Sequence, residues 1–133
     1  MKRVLAASGM AAVFAAGAMA IPSPALAAGS VIDIGQTIYQ SGYVKGSGST
    51  TNTGDWDNVC LVIMARSFPA YGSPFSDKTK ACKTAKGQWV WSAPDWKVPG
   101  GTCVEAYTRI SAYKGGVRKS NKDSNKIVAG PGC

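Results

Sequence analysis

The stretch "NVCLVIMARS", residues 58–67, is the longest apolar run that follows the first thirty residues of the chain. From Val59 to Ala65, apolar side chains fill both sets of alternating positions, and several of them are β-branched. A short run of this kind is typical of a strand that is covered on both faces. It therefore predicts a central core strand, around which the rest of a β domain must be arranged.

The segments that follow this run also have strand patterns. "QWVWSA", residues 88–93, places two tryptophans on one face, and "CVEAYTRISAY", residues 103–113, alternates as a half-buried antiparallel strand does. A Gly115-Gly116 turn and a short strand at 127–129 come next. No segment after residue 27 shows a helical period of apolar residues. The chain is thus predicted to be all-β, a small antiparallel sandwich of immunoglobulin-like size.

The segment "SVIDIGQTIYQSGYV", residues 30–44, has a β pattern, and the Gly/Ser-rich residues 45–58 that follow have turn and linker composition. Two interpretations remain open. The segment is either the first strand of the domain or a free N-terminal arm that adds itself as a strand to a partner. In the second case the partner-binding residues are Val31, Ile32, Ile34, Ile38, Tyr39 and Tyr43.

The first residues have the features of a secretory signal peptide. Lys2 and Arg3 precede an apolar run, and Ala25 and Ala27 form an A-x-A cleavage pattern. The run consists mostly of Ala and Gly and is short for a membrane span of ~20 residues. We expect a secreted, extracellular protein without a membrane span, made of a signal peptide (1–27), an N-terminal arm and linker (28–58) and a disulfide-stapled β domain (59–133).

Four cysteines remain after cleavage, which in an exported chain predicts two disulfides. The gaps between them are 21, 20 and 29 residues, and the chain has no histidine, so the pattern does not fit a structural zinc site. We expect no metal and no cofactor. The sequence does not choose among three pairings, although the local one is the simplest: Cys60 with Cys82 and Cys103 with Cys133. Under that pairing, Cys133 clamps strand 127–129 to the sheet.

Few residues suited to catalysis are present. Without histidine, the usual serine and cysteine triads are excluded. Asp55 and Asp57 could form the carboxylate pair of a glycosidase, but their Gly-rich context favours turn-forming aspartates. We therefore expect a non-enzymatic binding protein with no catalytic residue.

Positive charge suggests one kind of partner. Without Lys2 and Arg3, 13 basic residues face 7 acidic ones, a net charge of +6. Lysines near tryptophans can follow an anionic polymer by charge and stacking, although a solvated surface and core tryptophans are the structural alternatives. Outside the cell, the polymer would be an anionic cell-wall polymer or glycan rather than nucleic acid. The candidate contacts are Lys78, Lys80, Lys83, Lys86, Trp89, Trp91 and Trp96.

The pattern C-L-V-I … A-C-K … W-V-W … C-V-E-A-Y-T-R-I … C, from Cys60 to Cys133, resembles that of small secreted actinobacterial proteins with four cysteines. Some of these are similar to the adaptor subunit of umbrella toxin particles, which are secreted antibacterial assemblies. The resemblance implies an adaptor that joins a lectin-bearing subunit to a large toxin polypeptide, with residues 30–43 as docking arm and 45–58 as tether. A wall-binding module and a small secreted hydrolase inhibitor share the same plan.

Overall fold

The computed structural model describes residues 29–69, 72–84 and 86–133, so the predicted signal peptide lies outside the described residues. Within these ranges every regular element is a strand, and none forms an apolar helix long enough to cross a bilayer. The strands are β1 (Val31–Ile34), β2 (Ile38–Gln40), β3 (Tyr43–Lys45), β4 (Ser47–Asn52), β5 (Asn58–Ser67), β6 (Ser76–Thr84), β7 (Gly87–Ser92), β8 (Trp96–Lys97), β9 (Val104–Lys114), β10 (Val117–Asp123) and β11 (Ile127–Ala129).

The larger layer is an antiparallel sheet of five strands in the order β10-β9-β5-β6, with β11 also paired to β9. The predicted core strand, β5, lies between β6 and β9, as expected for a run that is apolar on both faces. Its residues 59, 61, 63 and 65 are fully buried against the second layer. On the opposite face, Cys60 and Val62 are also buried. The prediction of a central strand is confirmed.

The second layer consists of two three-stranded sheets, β1-β4-β7 and β2-β3-β8. Strands β3 and β4 follow each other with Gly46 between them, and the Gly46 carbonyl accepts a hydrogen bond of 3.1 Å from Ala93 N–H. The two sheets therefore act as one bent layer. Gly46 is needed at the bend because a Cβ there would overlap the Thr108 side chain of β9. The core between the layers comprises Ile32, Val44, Val59, Leu61, Ile63, Ala65, Trp91, Ala93, Val98, Val104, Ala106, Ile110 and Ala112.

This packing corrects the predicted division at residue 58. The segment 30–44 is not a free arm, since it forms β1, β2 and β3, and Ile32 and Val44 contribute to the common core. The stretch 45–58 is not a linker throughout, because its residues 47–52 form β4 between β1 and β7. The predicted arm and linker and the predicted β domain therefore share one hydrophobic core.

Both disulfides have the local pairing, Cys60–Cys82 and Cys103–Cys133, and no cysteine is free. The second one closes the chain as predicted. β11 pairs with the start of β9, Val104 opposite Ala129, and Gly132 N–H donates to Thr102 O at 2.8 Å. Disulfides of this kind persist in an oxidising compartment.

Candidate functional site

The two layers meet along β6, the strand at one margin of the larger sheet. There Trp91 Nε1 donates to Ala81 O at 3.1 Å, and the Thr79 hydroxyl donates to Pro94 O at 2.6 Å. These hydrogen bonds attach β6 to β7 and to the chain that leads into β8. The lysines of one layer are therefore brought beside the tryptophans of the other.

Two lysine–tryptophan pairs form along this margin. Lys78 Nζ lies 5.3 Å from the centre of the Trp96 ring, and Lys83 Nζ lies 5.0 Å from that of Trp89. We call these four residues the Lys–Trp edge. Such cation–π contacts contribute about 0.5–1 kcal/mol each at exposed positions, which favours the lysine conformations that lie over the ring. Each lysine lies over its tryptophan ring, so the edge presents ammonium groups together with the part of the aromatic surface that stays exposed.

The ammonium groups of the edge are not neutralised by ion pairs among the described residues. The acids that form ion pairs are Asp57, Asp95, Glu105 and Asp123, and their partners lie elsewhere in the fold. With a rise of ~3.3 Å per residue, Lys78 and Lys83 are separated by roughly 15 Å along β6. The edge is therefore long enough to contact more than one charge of an extended polyanion.

The other three predicted polymer contacts, Trp91, Lys80 and Lys86, lie outside the Lys–Trp edge. Trp91 is 9% exposed and belongs to the core, which agrees with the core interpretation for this residue. Lys80 pairs in register with Val62 and so lies on the outer face of the larger sheet. The Lys86 side chain lies alongside the Gly54 turn, before β7 begins. Lys78, Lys83, Trp89 and Trp96 are thus the candidates that the structure brings together.

The six predicted arm residues are spread over the second layer. Ile32 is buried, while Ile34 and Tyr39 are half-buried against the core. The three that remain exposed are Val31, Ile38 and Tyr43. Ile38 and Tyr43 lie in the paired strands β2 and β3, whereas Val31 lies in β1 of the other three-stranded sheet.

The two aspartates considered as a glycosidase pair hold turns together. Asp55 accepts a hydrogen bond of 2.6 Å from Ser30 N–H, and this bond lowers the pKa of Asp55. Asp57 accepts one of 2.7 Å from Gly115 N–H, which together with Lys114 lowers the pKa of Asp57. A general acid requires a raised pKa instead, so the geometry fits turn-forming aspartates. Among the described residues, no three potential metal ligands converge.

Sequence reasoning missed an aromatic cluster on the outer face of the larger sheet. The Tyr107 and Phe75 rings meet edge to face at 4.8 Å, with Arg109 and Lys126 each within 5.5 Å of the centre of the Tyr107 ring. Burial raises the pKa of Tyr107. The alternation of residues 103–113 places Tyr107 on this face, but only the fold brings Phe75 and Lys126 to it.

Together these features define a class: a disulfide-stapled, two-layer β-sandwich with a cationic, tryptophan-backed edge. Comparison of the chain with known protein families, with curated proteins and with solved structures yields no match.

Proposed function

We propose that the mature chain is a secreted, non-enzymatic binding module that attaches to an anionic cell-wall polymer or glycan through the Lys–Trp edge. The observation that carries this proposal is the pairing of Lys78 with Trp96 and of Lys83 with Trp89 along one margin. Both ammonium groups lie over an indole ring and lack an acidic partner within the described part of the chain.

The physics of this arrangement suits a polymer with repeated negative charges. A lysine that already rests on a ring loses less side-chain freedom when it binds an anion than a fully mobile lysine does. Each contact is weak and exposed, so binding depends on several charges acting together and falls as salt screens them. The predicted signal peptide and the two disulfides favour a partner met outside the cell.

Chromatography of residues 28–133 on an immobilised anionic wall polymer tests the proposal. We expect retention at low salt and release near physiological ionic strength, where the screening length is ~8 Å. The double variant Lys78→Gln/Lys83→Gln should elute at clearly lower salt. The matched control is Lys119→Gln/Lys122→Gln, which removes the same charge from exposed positions of β10 and should elute close to the unaltered protein. No retention at low salt, or an equal loss in both variants, would contradict a specific edge.

A second function, that of a protein-binding subunit such as the adaptor of an extracellular antibacterial toxin complex, is favoured by a different surface. On the outer face of β1-β4-β7, Val31 is 56% exposed and Val90 is 81% exposed. The outward positions of this sheet in register with these valines are Asp33, Ser49, Thr51 and Gln88, none of them a cation. An adaptor would dock through this face, because residues 31–52 belong to the sandwich.

Affinity purification from culture supernatant separates the protein-binding alternatives. A large co-secreted protein or a lectin-bearing subunit, retained in fixed stoichiometry and lost with Val90→Asp, would support the adaptor. A captured protease or glycosidase whose activity falls on binding would support the inhibitor instead. Val117→Asp, a change at another exposed valine, in β10, is the control.

A further inference from the structure

A groove opens at one end of the sandwich, where the Lys–Trp edge reaches Lys78 and Trp96. We call it the end groove. Its volume is about 300 Å³, at the lower limit of sites that hold small molecules. It is lined by Ala65, Arg66, Ser67, Ser73, Pro74, Ser76, Lys78, Trp96, Pro99, Thr102 and Val104.

The lining combines apolar surfaces with unused hydroxyl groups. Ala65 and Val104 are buried and form an apolar floor, and Trp96 and two prolines add apolar walls. The hydroxyls of Ser67 and Ser73 have no hydrogen-bond partner among the described residues. Apolar patches beside free hydroxyls match a sugar ring, whose carbon-bound hydrogens form an apolar face and whose hydroxyls project from the rim.

Only one of the two cations of the groove is available for an anion. Arg66 donates from Nε and Nη2 to Glu105 at 2.9 and 2.8 Å, and from Nη1 to Ser73 O at 3.0 Å, so its charge is neutralised. Lys78 has no such partner, and it is the extra residue of a β-bulge, because Ile63 pairs with Thr79 and Met64 with Asp77. A bulge redirects the side chain it carries, and here it brings Lys78 to the groove.

One wall of the groove, at Pro99 and Thr102, is held by hydrogen bonds and by a disulfide. Thr102 donates both its N–H and its hydroxyl to Pro99 O, and Thr102 O accepts from Gly132 N–H at 2.8 Å. The Cys103–Cys133 disulfide joins the same two segments. The C-terminal turn thus supports the groove wall from behind, and a preformed site loses little entropy on binding.

We propose that the end groove binds one sugar ring that carries a carboxylate or a phosphate. The ring packs against Trp96 and the prolines, the anionic group pairs with Lys78 Nζ, and ring hydroxyls bond to Ser67 and Ser73. The volume suits a single ring and not an extended chain. This inference rests on the proposed function, since the ring would be one unit of the bound polymer, and it names the unit that is recognised.

NMR titration of ¹⁵N-labelled residues 28–133 with glucuronic acid tests this site, with glucose and acetate as separate controls. With glucuronic acid, we expect chemical-shift changes that are confined to the groove residues and the Trp96 indole. Glucose and acetate should each bind more weakly than glucuronic acid. Lys78→Gln should weaken the binding of glucuronic acid by roughly tenfold, which corresponds to the loss of one charge-assisted hydrogen bond. Lys119→Gln, at an exposed position of β10 away from the groove, should leave this binding unchanged. Equal shifts from acetate and glucuronic acid, or none in the groove, would overturn the inference.

A groove-filling variant separates this inference from the proposed function. Ser73→Tyr fills the groove from an exposed position and should abolish sugar binding, whereas Ser73→Ala should change it less than threefold; circular dichroism verifies that both are folded. If glucuronic acid binds the groove while wall polymer is not retained, the groove stands and the polymer proposal fails. If polymer is retained but Ser73→Tyr leaves glucuronic acid binding intact, the groove assignment is wrong.

Discussion

Thr37 Oγ1 lies 2.6 Å from Thr108 Oγ1, although 71 residues separate the two threonines along the chain. Both side chains are buried, and Thr37 Oγ1 lies an equal 2.6 Å from Ser124 Oγ. Ser124 Oγ in turn accepts the Thr108 N–H at 2.9 Å. Buried hydroxyls are costly unless they are hydrogen-bonded, so this network fixes the segment between β1 and β2 to β9.

Thr37→Val should therefore destabilise the protein although valine has nearly the same shape. The variant removes one hydroxyl and leaves those of Thr108 and Ser124 with fewer partners, which lowers the free energy of unfolding by about 1–3 kcal/mol. Urea denaturation followed by tryptophan fluorescence measures the change. Thr51→Val, at an exposed position of β4, is the control and should stay within about 0.5 kcal/mol. Equal stability of both variants would mean that the network does not hold the N-terminal segment.

Gly46→Ala should be more damaging than its single methyl group suggests. The new Cβ would overlap the Thr108 side chain, which cannot move aside while it bonds to Thr37. Overpacking of this kind costs about 1–3 kcal/mol or more, seen as a lower midpoint of thermal unfolding. Gly100→Ala is the matched control, because a Cβ at Gly100 meets nothing within 4 Å. A Gly46→Ala protein as stable as this control would refute the close approach of the two layers.

The parts of the fold that sequence reasoning predicted depend on local patterns. β5 is apolar on both faces because it lies in the middle of a covered sheet, and this burial is visible in residues 59–65 alone. The Gly115-Gly116 turn was also readable, since both glycines have positive φ in a two-residue hairpin loop where Lys114 pairs with Val117. The sequence left three disulfide pairings open, and the structure has the simplest, local one, which includes the C-terminal clamp.

β4 was hidden because its composition is that of a linker. Gly48, Thr50 and Asn52 are nevertheless buried, since small and polar side chains let the second layer approach β5 closely. A Cβ on Gly48 would already lie 3.0 Å from Leu61 Cδ1. β4 forms because it pairs with β1 on one side and β7 on the other, although its residues have a low intrinsic preference for strand. Such pairing cannot be predicted from the local sequence pattern.

The candidate site was predictable in residue type but not in arrangement. Trp89 and Trp91 share one face of β7, yet Trp91 lies in the core while Trp89 is 38% exposed at the margin. Which lysine meets which tryptophan depends on how β6 lies against the second layer. The end groove depends on a bulge, which has no signature in the sequence. It also depends on the support that the C-terminus gives to the turn at 99–102, and only the fold shows this contact.

Cys133→Ser should destabilise the domain even though Cys133 is exposed at the end of the chain. The Cys103–Cys133 bond spans a sequence separation of 30, and its loss should lower the free energy of unfolding by about 2–4 kcal/mol in denaturant titrations. Intact mass under non-reducing conditions should show a monomer without free thiols. Cys103→Ser/Cys133→Ser, which leaves no unpaired thiol, should lose the same amount. A disulfide-linked dimer of the unaltered protein would contradict the clamp.

The Arg109–Asp123 pair should make stability depend on pH in one direction. Arg109 donates to both carboxylate oxygens, at 2.6 and 3.0 Å, which holds the pKa of Asp123 below its usual range. The pair therefore stabilises the fold above the unfolded pKa of about 3.9, and this contribution disappears as pH falls through the lower folded pKa. Because the pair is partly exposed, Asp123→Asn should lower the free energy of unfolding by only about 0.5 kcal/mol at pH 7, and the difference should vanish near pH 2. Arg109→Gln should reproduce this profile, and the double variant should lose little more than either single one. A deficit in Asp123→Asn that persists unchanged at pH 2 would show that shape, not charge, is what Asp123 contributes.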